Sequence, residues 1–358
     1  MPQRSAAAVG GSSSDGGHAK PLVSICLVTW QAEHWLDGCI ESVFAQSHPS
    51  IELIVRDNAS DDGTAVTLAI LSSRYPALSW ERNDHNIGFA RAQNQAIEAA
   101  SGKYVCLLNQ DIVLERDFIA SAVATLETDA SIGAIQGRVR QLGPDGERLD
   151  VIDTTGLVVR RDRRFLSRGQ GDPDGSAYAA GGAVFGADGP CPVYRRAALD
   201  DAREPRRGGG WEILDEDFFL YHEDTDLAWR LRLLGWAAWY EPSALAWHAR
   251  GVVGPRTTTA RGIAAHRDTL TTAARRHGWK NHRLMQVKNE SWPPQARAIL
   301  PILRREVGSL VLMATKAPRD LVALGWFTRL LPAALRKRRR IQRCRRVPRS
   351  DIERWFGE

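Results

Sequence analysis

The chain has 358 residues, 43% of them hydrophobic and 25% charged, the balance of a globular protein and not of a fibrous or disordered one. No apolar run approaches the roughly 20 residues that span a bilayer, and the N-terminus lacks the apolar core of a secretory signal. Its five cysteines, Cys26, Cys39, Cys106, Cys191 and Cys344, are scattered without metal-binding spacing and odd in number, which argues against a disulfide framework and places the chain in a reducing cytoplasm.

Residues 1–20 are rich in Ser, Gly and Ala and carry too little apolar surface to offset ordering, so a disordered tail is expected. Strand one is expected at Leu22–Thr29, followed by a helix with Trp35, Leu36, Ile40, Val43 and Phe44 at helical spacing. Strand two covers Ile51–Arg56 and ends in Asp57-Asn58-Ala59-Ser60-Asp61-Asp62-Gly63-Thr64. A helix to about Arg74, a short strand at Leu78–Trp80, a loop Asn83–Gly88 and a helix Phe89–Ala100 come next. The apolar run from Tyr104 to Leu108 then breaks into Asn109-Gln110-Asp111. Strands alternating with helices of this length mean βαβ units and a mostly parallel α/β sheet. Ligands of such sheets sit beyond the carboxyl ends of the strands. Asp111 is placed to meet a substrate or metal there, or to cap the next helix; the strand alone leaves both open.

A helix over Arg116–Glu127 is expected, then an irregular stretch from Gly133 to Gly189 with strand-like pieces at Ile135–Val139 and Leu157–Val159. Order returns at Trp211–His248, with a helix, a strand at Trp236–Tyr240, Pro242 and a second apolar run. In that helix Leu227, Leu231 and Leu234 form one buried stripe, and Asp224 falls on the same stripe while Asp226 points elsewhere. A shielded carboxylate in a first helical turn suits a general base. The alternative is that these acids only complement the helix N-terminus.

Taken together, Val23-Ser24-Ile25-Cys26-Leu27-Val28-Thr29-Trp30, Val55 through Thr64, Asn86 through Asn94, Leu107 through Asp111, Phe219 through Arg230 and Ala246-Trp247-His248 resemble the family 2 glycosyltransferases of the GT-A fold, most closely their rhamnosyltransferase-like members. The resemblance covers about Pro21 to Arg250. It implies a GT-A catalytic domain over 21–255 and a sugar-nucleotide site. Thr29 and Asp57 would line the base pocket, and Asn86, Gly88, Arg91 and Asn94 would border the nucleotide. Asp111 would be the last residue of the family's Asp-x-Asp metal motif, His248 would complete the site for Mn²⁺ or Mg²⁺, and Asp224 would be the base of an inverting transfer. The first acid of Asp-x-Asp is Asn109 here, a neutral oxygen donor, so strict metal dependence is the point the departure puts in question. The segment Gly181–Arg196 is longer than the family's usual strand there, which hides the acceptor contacts. The resemblance implies a donor of dTDP-L-rhamnose first and a UDP-sugar second, and an acceptor hydroxyl on a saccharide or lipid-linked saccharide of the cell surface. A non-catalytic saccharide-binding protein on the same fold is the competing reading.

Residues 256–358 form a helical, basic extension. A helix is expected over Thr257–Gly278, with Gly278 as its stop. Two amphipathic stretches follow, around Ile299–Leu312 and Leu321–Leu331, and then the basic run Arg336–Arg346. Apolar faces followed by a cationic cluster suit an anionic membrane surface; a helical hairpin packed on the catalytic domain is the alternative. The basic run lacks the interleaved aromatics of a nucleic-acid platform, so no nucleic-acid partner is expected.

Overall fold

In this computed structural model the described residues are 20–249, 262 and 269–357. The tail expected at 1–20 and the first turns of the helix expected from Thr257 therefore fall, almost entirely, outside the described residues. The first half alternates as read from sequence: β1 (Val23–Thr29), α1 (Leu36–Phe44), β2 (Ile51–Asp57), α2 (Thr64–Arg74), β3 (Leu78–Arg82), α3 (Phe89–Ala99) and β4 (Tyr104–Asn109). β1 is buried at every position, which is why its sequence shows a continuous apolar run instead of alternation. It pairs in parallel with β2 on one side and β4 on the other, and β3 extends the sheet beyond β2.

The second half comprises β5 (Ile112–Leu114), α4 (Phe118–Thr128), β6 (Ile132–Leu142), β7 (Arg148–Thr154), β8 (Leu157–Arg160), β9 (Phe165–Ser167), β10 (Gly182–Val184), β11 (Val193–Arg195), α5 (Arg196–Asp201), β12 (Glu204–Pro205), β13 (Trp211–Glu212), α6 (Glu223–Leu233) and β14 (Ala237–His248). The main sheet runs β10-β14-β6-β11-β4-β1-β2-β3, with β5 on β14 and β7 on β6. β11 is antiparallel to both β4 and β6, and β14 is parallel to β6. The two reversals cancel, so β14 and β4 point the same way and their carboxyl ends meet on one edge. β14 is a single strand where the sequence promised two pieces. Pro242 has no N–H to give the ladder, and a register shift against β6 between Glu241 and Leu245 absorbs it. The short strands β9 to β11 carry no periodic signal and form because β4, β6, β8 and β14 present edges to pair with.

The C-terminal elements are α7 (Thr272–Asn289), α8 (Ala296–Lys316), α9 (Val322–Cys344), α10 (Arg349–Glu353) and β15 (Phe356–Gly357). α7 does not stop at Gly278. It starts where the Thr271 hydroxyl accepts from the Ala274 N–H at 3.1 Å, and it runs through the glycine to Asn289. A mid-helix glycine costs about 1 kcal/mol, and the buried face with Lys280, Asn281, Leu284, Met285 and Lys288 outweighs that. Leu284 and Met285 of α7 and Ala334 and Ile341 of α9 share one apolar cluster with Phe185, Phe218 and Trp229 of the α/β domain. Part of the basic run is used in this contact, while Arg336, Arg339 and Arg343 stay exposed. Lys337 is buried against Glu212 and Asp215, Arg338 donates to the Val287 and Glu290 carbonyls, and Arg346 pairs with Asp201. No described helix is long and apolar enough to cross a membrane.

Candidate active site

Because β1, β2, β4 and β14 are co-directional, Thr29, Asp57, Asn109 and His248 all terminate strands on one edge. This is the edge where an open α/β sheet binds ligands. At its far side the Thr29 hydroxyl donates to the Asp57 carboxylate at 3.1 Å. The Ser60 hydroxyl at 2.5 Å, the Ser60 N–H at 3.2 Å and the Arg82 Nε at 3.3 Å complete four donors around a carboxylate that is wholly buried. Those donors fill its acceptor sites. Arg82 alone is half-exposed and approaches from the crevice.

The loop before α3 is knotted by amides. Asn58 Nδ2 and the Gly88 N–H both donate to Asn86 Oδ1 at 3.0 Å, and the Ile87 N–H donates to Asn58 Oδ1 at 3.1 Å. Gly88 has φ +90°, and a Cβ there would stand 2.5 Å from the Phe219 ring, so only glycine fits. Arg91 in the first turn of α3 is largely exposed, 3.8 Å from Glu216. Asn94 departs from expectation. Its Oδ1 accepts from the Ile213 and Leu214 N–H groups and its Nδ2 donates to the Leu214 carbonyl and to Glu216, so its polar capacity ties α3 to the 213–216 segment and leaves little for a nucleotide.

Across the edge, Asp111 and His248 are brought together by β5, which pairs His248 with Ile112. The Asp111 Oδ1 lies 3.3 Å from His248 Nε2, and His248 Nδ1 is 2.9 Å from the buried Asp153 of β7. Burial acts to lower the His248 pKa, but hydrogen bonds to Asp111 and Asp153 overcome it and hold it up at about 9. Asp153 was not singled out in the sequence: it sits in the irregular middle stretch, and nothing in its neighbours marks it. Asn109 ends β4, with its N–H on the Pro190 carbonyl at 2.9 Å. Among the described residues no cluster of three or more His, Cys, Asp or Glu side chains forms a self-sufficient metal cage. Asp111 and His248 nevertheless fit a cation of the Mg²⁺ or Mn²⁺ type, which commonly takes one or two protein ligands and completes its shell with substrate phosphates and water. The Nδ1 contact with Asp153 is the outer-shell carboxylate that fixes a ligating imidazole.

Asp224 stands in the first turn of α6, half-buried, against Gly189, where a Cβ would come within 2.9 Å of its Oδ2. Burial, with Asp188 beside it, pushes its carboxyl up to about 7. Asp226 is the deeper acid. It is fully buried and bonded to Arg230 at 2.9 Å, Lys288 at 2.8 Å and Asn289 at 2.8 Å, and so anchors α7 instead of facing the crevice.

A mostly parallel sheet with Asp111 and His248 at its carboxyl edge and Asp224 in the first turn of α6 has the form of the GT-A fold. Residues 24–201 match the model of Glycosyl transferase family 2, so the chain carries a glycosyltransferase domain of that family. It is similar to the poly-beta-1,6-N-acetyl-D-glucosamine synthase of Staphylococcus aureus, 23% identical over 229 residues, 63% of this chain and 49% of that protein. It is also similar to the putative teichuronic acid biosynthesis glycosyltransferase TuaG of Bacillus subtilis, 35% identical over 98 residues, 27% of this chain and 39% of that protein. The chain thus spans about half or less of the length of the curated relatives it matches. Among solved structures, a mannosyltransferase of Pyrobaculum calidifontis in complex with GDP-Man and Mn²⁺ shares the fold at 20% identity and a TM-score of 0.51, covering 90% of this chain and 87% of that one.

Proposed function

We propose that the chain is an inverting glycosyltransferase that moves a sugar from a nucleoside-diphosphate donor to a hydroxyl of a saccharide or lipid-linked saccharide in cell-surface polysaccharide synthesis. The observation that supports this is that Thr29, Asp57, Asn109 and His248 end co-directional strands on one edge, with Asp224 against Gly189, next to the Pro190 carbonyl that accepts from the Asn109 N–H. The nucleobase lies at the Asp57 end, displacing Arg82 from the crevice side, and the diphosphate passes the Asn86–Gly88 loop with Arg91 in reach. A divalent cation held by Asp111 and His248, with Asn109 beside them, would neutralise charge on the leaving diphosphate. Asp224 takes the proton of the acceptor hydroxyl as the new C–O bond forms and the anomeric C–O bond to the diphosphate breaks on the opposite face. The relatives' names, a poly-beta-1,6-N-acetyl-D-glucosamine synthase and a putative teichuronic acid biosynthesis glycosyltransferase, support a saccharide acceptor. The donor is placed first as dTDP-L-rhamnose and second as a UDP-sugar, on motif resemblance.

The same reading sets the chain on the inner face of an anionic membrane. Its support is α8, whose Leu300, Leu303, Val307, Leu310 and Val311 form one exposed apolar arc flanked by exposed Arg297 and Arg304. Of the basic run offered for this role, Lys337 is buried and Arg338 bonds to the protein, while Arg336, Arg339 and Arg343 stay exposed to join α8. Nucleoside-diphosphate release from dTDP-L-rhamnose and UDP-sugars, with Mn²⁺ or Mg²⁺ and with excess chelator, tests the enzyme reading. Metal-stimulated release from one donor is expected, and binding of every donor without release or transfer would leave the saccharide-binding alternative. For the membrane reading, the full chain should float with anionic vesicles and lose most of that binding on Leu303→Asp with Val307→Asp. Equal flotation of both proteins would overturn it.

A further inference from the structure

The turn that launches α6 is built in an unfavourable conformation. Phe219, Tyr221 and His222 have φ of 68°, 71° and 69°, the left-handed region that side chains other than glycine avoid. Such residues cost on the order of 1–3 kcal/mol each and persist only where surrounding contacts over-determine them. Here the turn connects both halves of the site. The Phe219 ring packs on Gly88 of the donor loop and its carbonyl accepts from the Ala90 N–H, while His222 is the N-cap of the helix that carries Asp224.

The contacts that hold it come from α7, outside the 24–201 segment that defines the family. The Asn281 side chain is fully buried. Its Nδ2 donates to the carbonyls of Phe218 at 3.0 Å, Leu220 at 2.8 Å and Tyr221 at 2.7 Å. Two hydrogens serve three acceptors, so one bond is shared, and the amide gathers the carbonyls of an inverted turn onto a single nitrogen. The preceding residue, Lys280, donates from Nζ to the Asp217 carbonyl at 2.6 Å, and one turn earlier the His277 ring stacks on Phe219 at 5.2 Å with Trp326 of α9 behind it at 5.3 Å. An amide with this geometry has no equivalent in a hydrophobic contact, which could fill the space but not orient three carbonyls.

We propose that Asn281 is a positioning residue for the transfer reaction. By latching the Phe218–Tyr221 carbonyls it fixes the entry angle of α6, and with it the reach of Asp224 toward the acceptor hydroxyl. The claim rests on Asp224 being the base. It assigns the C-terminal helices a part in catalysis that does not depend on what α8 docks against.

The test uses the full chain with Asn281→Ala, and Asn281→Gln as a second variant that keeps the amide but displaces it by one methylene. Amide hydrogen exchange of residues 219–226 should accelerate about tenfold while β1 and β4 keep their protection. On the donor with the greatest turnover, kcat should fall between about tenfold and a hundredfold, with the Kd of UDP or dTDP in Mn²⁺ unchanged within about twofold. Adding Tyr221→Gly relieves the backbone cost at one of the turn's three left-handed positions and should recover about threefold of the lost kcat, a non-additive rescue that loss of packing does not give. Unchanged exchange and kcat in both variants would overturn the proposal, and so would losses that Tyr221→Gly deepens. If only Asn281→Gln folds, the same exchange, kcat and rescue readings on it decide. Asp224→Asn in the same assay separates the two claims: an inert Asp224→Asn beside a fully active Asn281→Ala removes the latch alone, and an active Asp224→Asn removes the base.

Discussion

The two ends of the molecule are held by opposite means. From β1 to β4 the site is local: each strand delivers its residue to the edge, and loop amides such as Asn58 and Asn86 bond to near neighbours in space that the βαβ order already puts there. The base end is assembled at long range. Asp215 and Asp226, which flank the turn and helix carrying Asp224, are tied by Lys288 and Lys337 from α7 and α9, side chains 62 to 122 positions away in sequence. The contrast teaches where each half is vulnerable. Damage to the first half should cost donor binding, and damage to the second should cost stability and kcat.

The largest expected effect lies in the second half. Asp226→Ala leaves Lys288 and Arg230 buried beside one partner fewer, and breaking a buried pair this way costs about 3–5 kcal/mol. A chemical denaturation midpoint measures it, and a loss under about 1 kcal/mol, the range of a surface pair, would mean that the ionic network does not hold the base end. Asp57→Ala, the matched change in the first half, removes a charged acceptor from Thr29 and Ser60. Donor binding should weaken by about 1.5–3 kcal/mol, read by titration with the nucleoside diphosphate. An unchanged Kd would break the comparison at its donor end. Asp153→Asn touches the seam between the halves. By loosening His248 it should weaken Mn²⁺ binding about tenfold to a hundredfold, a shift seen directly in a metal titration without turnover. The smallest effect belongs to the helix that touches neither half of the crevice. Arg304→Ala should cost about 1 kcal/mol of vesicle affinity and leave kcat alone.

The same contrast explains what could be read before the structure. β1 to β4, α1 to α3 and α6 follow from apolar periodicity, and Asp57, Gly88, Asp111 and Asp224 lie in motifs at strand ends or helix starts, where local sequence marks them. Asn94 misled because a polar residue inside a motif looks like a ligand contact; the 213–216 backbone that consumes it is remote in sequence. Asp153 and Asn281 were invisible for a related reason. Each acts on a partner 60 or more positions away, and neither has a local pattern that differs from a solvated Asp or Asn. Gly278 read as a helix stop because local propensity was weighed without the buried face of α7. Within the basic run, the burial of Lys337 was not legible because the acids it pairs with, Glu212 and Asp215, are remote in sequence.

The central claim is that Asp224 is the base, and the pH dependence of kcat tests it most directly. Burial and the neighbouring Asp188 raise its carboxyl to about 7, in a pair with the adjoining buried Glu223 that is itself raised to about 8, so the two protons titrate together. A base works only when deprotonated. Turnover should therefore be full above these values and fall about tenfold per unit as pH drops below them. Asp224→Asn should lower kcat by about 10² to 10⁴ and erase that acid limb, with the Kd for the nucleoside diphosphate unchanged. A variant that keeps the parent's rate and its acid limb while binding donor normally would contradict the account.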